Sequence, residues 1–288
     1  MADVIDDFIT SWNTKIAMLR SVDMVLESEI FNDKQIYYHS NSNSDQRLLF
    51  DVMPEPYLGN PRECSYVIMN LNPGQYIEEL QNAHNGRFQK IGNAIDEYSK
   101  FAVNFPYLID KYCTESDGAI YKGNQWWKKR DEYFKRILRT NGSSSENLKK
   151  PFSLEICPWR SRSIGDIRLL STENGILYLN TIFDIASLAA NSAVTKIVFT
   201  IGKYYYSIFK NMKINGEVRF HELATIDNKN SKNSIVFPKN KSGDYIKRTI
   251  SIWNDVHNNI RYFNTFAQGS NTIPSNKFDN IIRNLLIM

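Results

Sequence analysis

Apolar residues follow two patterns along the chain. Short apolar runs followed by Gly, Pro or Asn predict strands at 66–71, 152–157 and 196–201, with weaker strands at 217–223 and 234–237. Segments with apolar residues every three or four positions predict helices at 6–30, 88–101, 125–139, 164–170, 176–190, 203–212, 245–258 and 276–286. Because strands and helices alternate, we expect a three-layer α/β/α fold. Its central, mostly parallel sheet would have four or five strands, with added N- and C-terminal helices.

The same pattern predicts a single domain. We expect an N-terminal helical extension over 1–45, an α/β core over 46–258 and a C-terminal tail and helix over 259–288. The stretch NGSSSENLKK at 141–150 is the clearest loop, and both a domain boundary and an insertion loop fit it.

Composition excludes several classes of protein. With 42% hydrophobic and 23% charged residues among 288, the chain is expected to be neither disordered nor fibrous. It has no apolar run of about 18 residues, and its acidic start lacks a signal peptide's basic region, so we expect a cytoplasmic protein without a membrane partner. Three distant cysteines and four scattered histidines argue against disulfides and metal sites, so neither a metal nor an organic cofactor is expected. The net charge of +4 suits a polyanion ligand without establishing one.

The loops that follow the strands are the places where chemistry is expected, since ligands of such sheets bind at the carboxyl ends of the strands. The most informative loop is Asn72-Pro73-Gly74, directly after the first strand. Its Asn amide can hold a water or read a base edge, Pro73 fixes the backbone, and Gly74 permits close approach of a ligand. The same three residues also make an ordinary turn.

Residues 67–74 resemble the first catalytic motif of the uracil-DNA glycosylase superfamily, in the branches with Asn-Pro-Gly where classical uracil enzymes have Asp-Pro-Tyr. The upstream EPYLGNP at 55–61 is similar to segments of bacterial relatives, and the specific match covers about twenty residues. The resemblance implies that Asn72 positions the hydrolytic water or supports the oxocarbenium-like sugar. It also implies a base pocket lined by Pro73, Gly74, Gln75 and Tyr76, to which Trp159 and His221 are added as candidates.

The second strand carries Glu155 where the superfamily commonly has a base-reading Asn. A carboxylate accepts a hydrogen bond from the N4 amino group of cytosine and repels the O4 of uracil, so Glu155 in the pocket favours a cytosine-derived base. The alternative is a Glu on the polar face of a half-buried strand. The loop with Trp159, Arg160 and Arg162 can stack on a base and hold phosphate; a structural Trp with solvated arginines is the alternative.

The chain departs from the superfamily at its third motif, His-Pro-Ser, where Phe237 stands in place of the His. His221 is a candidate substitute or a histidine at the edge of the core. The remaining candidates for DNA phosphates are Lys239, Lys241, Lys128 and Lys129. The last two lie on the helix at 125–139, which alternatively is an amphipathic helix with a solvated basic face and Trp127, Tyr133, Phe134 and Ile137 packed inward.

We therefore expect a monomeric, monofunctional DNA glycosylase that flips a modified base out of double-stranded DNA and hydrolyses its glycosidic bond. Asn72 and Glu155 are the predicted catalytic residues. Some bacterial members of the superfamily act in antiviral defence by excising glucosylated 5-hydroxymethylcytosine from phage DNA. Glu155, the missing His-Pro-Ser motif and the extra segments resemble that branch more than uracil repair enzymes, so the resemblance implies a modified cytosine as substrate. A uracil or mismatch repair glycosylase, an inactive nucleic-acid-binding module of the same fold, and a different α/β hydrolase or transferase are the alternatives.

Overall fold

A computed structural model gives the arrangement of much of the chain. The residues that it describes are 3–21, 54–71, 98–109, 118–138, 148–159, 169–193, 195–226, 236–239, 245–247, 250–265 and 279–287.

The centre of the fold is a sheet in which seven strands are described. These are β1 (Tyr57–Leu58), β2 (Val67–Asn70), β3 (Phe152–Glu155), β4 (Ile197–Ile201), β7 (Phe220–Ile226), β10 (Ile250–Asp255) and β11 (Ile260–Thr265). Two-stranded ladders pair β5 (Lys213–Ile214) with β6 (Glu217–Val218) and β8 (Val236–Lys239) with β9 (Tyr245–Lys247).

The strand order of the main sheet is β1-β3-β2-β4-β11-β10-β7. The four strands β3, β2, β4 and β11 are mutually parallel, and β1 and β10 run antiparallel to their neighbours. The predicted α/β class with a mostly parallel sheet is therefore confirmed, although the sheet has more strands than the four or five expected. Strands β2, β3 and β4 are buried along their whole length, as is typical of parallel strands covered on both faces.

Helices cover both faces of this sheet. They are α1 (Val4–Ser21), α2 (Tyr98–Val103), α3 (Gly118–Leu138), α4 (Glu173–Ser192), α5 (Lys203–Asn211) and α6 (Asp279–Ile287). Phe134 of α3 packs on Phe199 of β4, and Phe183 of α4 packs on Tyr262 of β11. Phe199 is in register with Phe263, so these two side chains lie on the same face of the sheet. Tyr262 precedes Phe263 in β11, so its side chain lies on the opposite face. The arrangement is compatible with α/β/α layering.

Local sequence signals explain how one of these elements begins and another ends. Thr172 caps α4, and its hydroxyl accepts a hydrogen bond of 3.1 Å from the Gly175 N–H. Gly59 ends β1 with a φ of +90°, and a Cβ there would lie 2.2 Å from the Pro151 carbonyl oxygen. Only glycine fits this close approach of two backbone segments.

The prediction of a helix over 245–258 is wrong. The segment forms β9 and β10, and β10 continues through a turn into β11, which lies between β4 and β10 in the sheet. Residues 250–253 are buried consecutively, a pattern that a strand covered on both faces also produces. The predicted tail from residue 259 consequently contains a strand at the centre of the sheet.

The other predicted elements agree more closely. The predicted strand over 217–223 divides into β6 and β7, and the helix predicted from 125 begins earlier, at Gly118. Of the predicted helix over 88–101, only the end that forms α2 is described, and of 164–170 only the start of a 3-10 helix at Leu169–Ser171.

Candidate functional site at the carboxyl ends of the parallel strands

The strand order defines a switch point at the carboxyl end of the sheet. β2 comes first in the chain among the four parallel strands; β3 lies on one side of it and β4 on the other. From β2 the chain continues to β3 on one side, and from β4 it continues to β7, the next strand of this sheet, on the other side. The connections that diverge are therefore those that leave β2 and β4. In open α/β sheets this divergence opens a crevice that binds ligands.

Two buried polar side chains meet at this end of the sheet. Asn70 and Glu155 are the last residues of β2 and β3, they are in register, and their exposed fractions are 6% and 7%. The Asn70 Nδ2 donates to Glu155 Oε1 over 3.0 Å and to Ser153 Oγ over 3.2 Å. The amide and the carboxylate thus form one hydrogen-bonded unit across the two strands.

Backbone contacts hold this unit in place. The Asn70 carbonyl accepts from the Ile156 N–H over 3.0 Å and from the Tyr205 hydroxyl over 2.6 Å. The Cys157 N–H donates to the Leu71 carbonyl over 2.8 Å, so the backbone pairing of these two segments continues beyond the ends of β2 and β3. The site is thereby built on regular elements rather than on the tip of a loop.

Tyr205 of α5 remains a hydrogen-bond donor in this setting. Complete burial first, and then the negative charge of Glu155, raise the pKa of the Tyr205 hydroxyl well above its usual value. The hydroxyl therefore keeps its proton and its bond to β2 at any physiological pH.

Several buried polar atoms near this edge lack a hydrogen-bond partner among the described residues. They are Asn70 Oδ1, Asn264 Nδ2 and Thr265 Oγ1. Asn264 accepts from the Thr200 hydroxyl over 3.0 Å through its other side-chain atom, which leaves its NH2 group as the available donor. Unsatisfied polar atoms are rare in protein interiors, so Asn70 Oδ1 at the carboxyl end of β2 marks this edge as a candidate binding site. Ser65 Oγ, the Tyr133 hydroxyl and Arg283 Nε also lack a partner among the described residues, in other parts of the fold.

A second buried carboxylate lies beside the loop that follows β3. The Glu55 N–H donates to the Pro158 carbonyl over 2.9 Å, and the Tyr107 hydroxyl lies 2.9 and 3.1 Å from the two carboxylate oxygens of Glu55. Glu55 belongs to the EPYLGNP segment, so that segment is now seen to border the site.

The sequence signals for these residues differ. Asn70 interrupts an otherwise apolar run, and a polar residue in such a run is a recognisable sign of a buried polar site. Tyr205 and Tyr107 carry no such sign, because their contacts join segments distant in the chain.

Most of the predicted base pocket falls outside the described residues. This applies to Asn72, Pro73, Gly74, Gln75 and Tyr76, and also to Arg160, Arg162 and Lys241, while Lys239 lies in β8 and only its backbone is described. Asn72 follows the last residue of β2 by two positions.

The predicted residues that are described lie in different places. Glu155 is buried on a fully buried strand, so it does not lie on a half-buried polar face. Trp159 is 0% exposed and belongs to the hydrophobic core. Stacking of its indole on a base would therefore require the surrounding chain to move.

His221 lies away from this edge. It is the second residue of β7, which runs parallel to β2, so it sits at the amino end of the sheet. β7 is also four strands from β2, roughly 19 Å at ordinary strand spacing. A pocket beside Glu155 does not include His221, because Glu155 lies at the carboxyl end of β3 while His221 lies at the amino end of an edge strand on the other side of the sheet.

The basic helix proposed for phosphates is amphipathic. Trp127, Tyr133, Phe134 and Ile137 are all buried, as the structural alternative predicted. Lys129 is exposed and Lys128 partly exposed, so both remain at the surface.

The described residues contain no group of His, Cys, Asp and Glu side chains suited to a metal ion. None of the helices described is both long and apolar enough to cross a membrane.

Comparison with known proteins adds no relative: no family model, no curated protein and no solved structure matches the chain. The proposals that follow therefore depend on the residues themselves.

Proposed function

We propose that the chain is a monofunctional DNA glycosylase that excises a modified base, with a modified cytosine as the preferred substrate. The observation that carries this proposal is the register of Asn70 with Glu155. It puts the carboxylate expected to read the base on the strand next to the one that leads into Asn72. The parallel order of strands with its switch point between β2 and β4 is the architecture that such a site needs.

In the proposed reaction a water attacks C1′ of the flipped nucleotide and the bond from C1′ to the base nitrogen breaks. The carbon–oxygen bond forms at C1′, and the departing base takes up the proton that balances the reaction. Asn72 orients the water through its amide. A neutral amide stabilises the developing positive charge of the sugar less than a carboxylate does, so more of the barrier must be lowered at the leaving base.

Glu155 is the group we assign to the leaving base. A cytosine anion leaves poorly, and the Glu155 carboxylate can take up the proton that the attacking water releases and pass it to the departing base, which makes the base a better leaving group. Glu155 Oε1 accepts from Asn70 Nδ2 over 3.0 Å, which holds the carboxyl group at this edge of the sheet. Glucosylated 5-hydroxymethylcytosine in phage DNA, and hence antiviral defence, is the specific substrate and role we propose.

The test uses purified protein and duplexes that carry one uracil, one 5-hydroxymethylcytosine or one glucosylated 5-hydroxymethylcytosine, followed by alkali to cleave abasic sites. We expect strand breaks in a modified-cytosine duplex, and none with Asn72→Ala. His257→Gln, at an exposed position at the amino end of the sheet, is the matched control and should cleave normally. Breaks in the uracil duplex alone would refute the modified-cytosine substrate.

A nucleic-acid-binding module without catalysis is the second candidate, favoured by Phe237 in place of the superfamily's His. It predicts tight, salt-dependent binding of DNA, no released base, and the same affinity in Asn72→Ala. Release of a base by the wild-type protein excludes it.

A further inference from the structure

One buried residue at the site, Asn70, takes no part in the proposed bond-breaking step. Asn70 is a polar residue at the end of an otherwise apolar buried strand, with a side chain only 6% exposed. Burying an amide is costly unless it is hydrogen-bonded, so its presence requires an explanation.

The orientation of the Asn70 amide is fixed by its partners. A carboxylate accepts hydrogen bonds, so the atom of Asn70 that lies 3.0 Å from Glu155 Oε1 is the NH2 nitrogen. The same nitrogen donates to Ser153 Oγ over 3.2 Å, which uses both of its protons on β3. The Oδ1 atom is left as an acceptor, and it has no partner among the residues that the structure describes.

The edge thus carries two acceptor groups on neighbouring strands, the side-chain Oδ1 of Asn70 and the carboxylate of Glu155, whose Oε1 lies 3.0 Å from the Nδ2 of the same Asn70 amide. An exocyclic amino group has two protons and can donate one to each acceptor. Cytosine has such a group at C4, whereas uracil and thymine have a carbonyl oxygen there, which both acceptors repel. The ring N3–H of uracil or thymine lies between two carbonyl groups and is a single donor, so it cannot donate to both Asn70 Oδ1 and the Glu155 carboxylate.

We propose that Asn70 is a specificity-determining residue that selects, together with Glu155, bases with an exocyclic amino group. This inference rests on the proposed function in so far as it takes the occupant of the site to be a nucleobase. It goes further by assigning a second reading residue and by requiring that the two act as a pair.

The test compares two nucleosides that differ only at C4, 5-hydroxymethyl-2′-deoxycytidine and 5-hydroxymethyl-2′-deoxyuridine. Their dissociation constants are measured by calorimetry or ligand-observed NMR, without catalysis. We expect the wild-type protein to bind the cytidine at least about 10-fold more tightly, since an unmatched buried hydrogen-bonding group costs that much or more. Asn70→Leu should reduce the preference to within about 3-fold, because it removes one acceptor and frees the Glu155 carboxylate.

Two further variants keep the test decisive. Glu155→Gln can turn its NH2 toward a C4 carbonyl and should reverse the preference, which gives an answer even if Asn70→Leu does not fold. His257→Gln should keep the wild-type preference. Equal binding of the two nucleosides, no binding of either, or a retained preference in folded Asn70→Leu each overturns the inference.

The two proposals can fail separately. Base release from DNA without any preference between the nucleosides refutes the role of Asn70 and leaves the glycosylase. A nucleoside preference lost in Asn70→Leu, with no base released from DNA, supports the reading pair and refutes the hydrolase.

Discussion

The two ends of the central sheet both bury polar networks, and the networks differ in how completely they are satisfied. At the amino end, Arg219 is enclosed with Asp184 and Asp255 and donates through all three guanidinium nitrogens. At the carboxyl end, Asn70 and Glu155 are joined to each other while Asn70 Oδ1 lacks a partner among the described residues. An unsatisfied buried group in a native protein requires an explanation, and a ligand, an ion or an ordered water that supplies the missing partner is one.

The amino-end network has the features of a structural clamp. Arg219 Nη2 lies 2.6 Å from Asp184 Oδ1 of α4 and 2.9 Å from Asp255 Oδ2 of β10, so it ties a helix to the sheet. Burial alone would lower the pKa of Arg219, but its hydrogen bond with Asp255 and the nearby acidic charges raise it. Ser187 and Tyr262 add a shared hydrogen bond of 2.8 Å. All three guanidinium nitrogens of Arg219 therefore have acceptors within this network.

The largest effect on stability should follow from breaking this clamp. Arg219→Met leaves Asp255, which is 0% exposed, as a buried carboxylate without its cation. We expect the free energy of unfolding to fall by about 3–5 kcal/mol in urea denaturation, the usual cost of orphaning one member of a buried ion pair. Base release per folded molecule should be unchanged. A fall of base release in step with Asn70 variants would mean that the two ends are not separate in function.

Glu155→Gln should have the opposite profile. A Gln side chain still accepts from Asn70 Nδ2, so we expect only a small change in the free energy of unfolding. Its amide cannot donate a proton to the leaving base, and base release in single-turnover kinetics should fall by about 100-fold or more. A stable variant that releases base at the wild-type rate would remove Glu155 from the chemistry.

Tyr205→Phe tests the support of the site. It deletes the 2.6 Å hydrogen bond to the Asn70 carbonyl, which keeps its bond from the Ile156 N–H. We expect a loss of about 1 kcal/mol in the free energy of unfolding and a smaller effect on base release than Glu155→Gln produces. If base release instead vanished while the melting transition stayed the same, Tyr205 would have a direct part in the reaction.

Arg62→Met supplies the smallest effect and the control for Arg219→Met. Arg62 forms ion pairs with Asp3 and Asp6 at the surface, and its side chain is 50% exposed. Water and salt screen such pairs, so thermal melting should change little. A destabilisation as large as that of Arg219→Met would show that burial is not what distinguishes the two arginines.

Particular elements show how much of the fold and of the site could be predicted from the sequence. Strands β2, β3 and β4 were predictable because each is a short apolar run closed by a Pro or Gly turn. β10 and β11 were missed because buried residues on consecutive positions give no strand period, and the spacing also fits a helix. Glu155 was predictable as a polar residue at a strand end, but its pairing with Asn70 depends on strands 85 residues apart in the chain. The Arg219 clamp has the same cause, since only the folded sheet brings Asp184 and Asp255 together.

The most direct test of the central claim is a structure of the protein bound to a duplex with one non-hydrolysable 2′-fluoroarabino analogue of 5-hydroxymethylcytidine. The account predicts an extruded base at the carboxyl ends of β2 and β3, with its amino nitrogen about 3 Å from both Asn70 Oδ1 and the Glu155 carboxylate. A base that stays stacked in the duplex, or that binds away from this edge of the sheet, would contradict it.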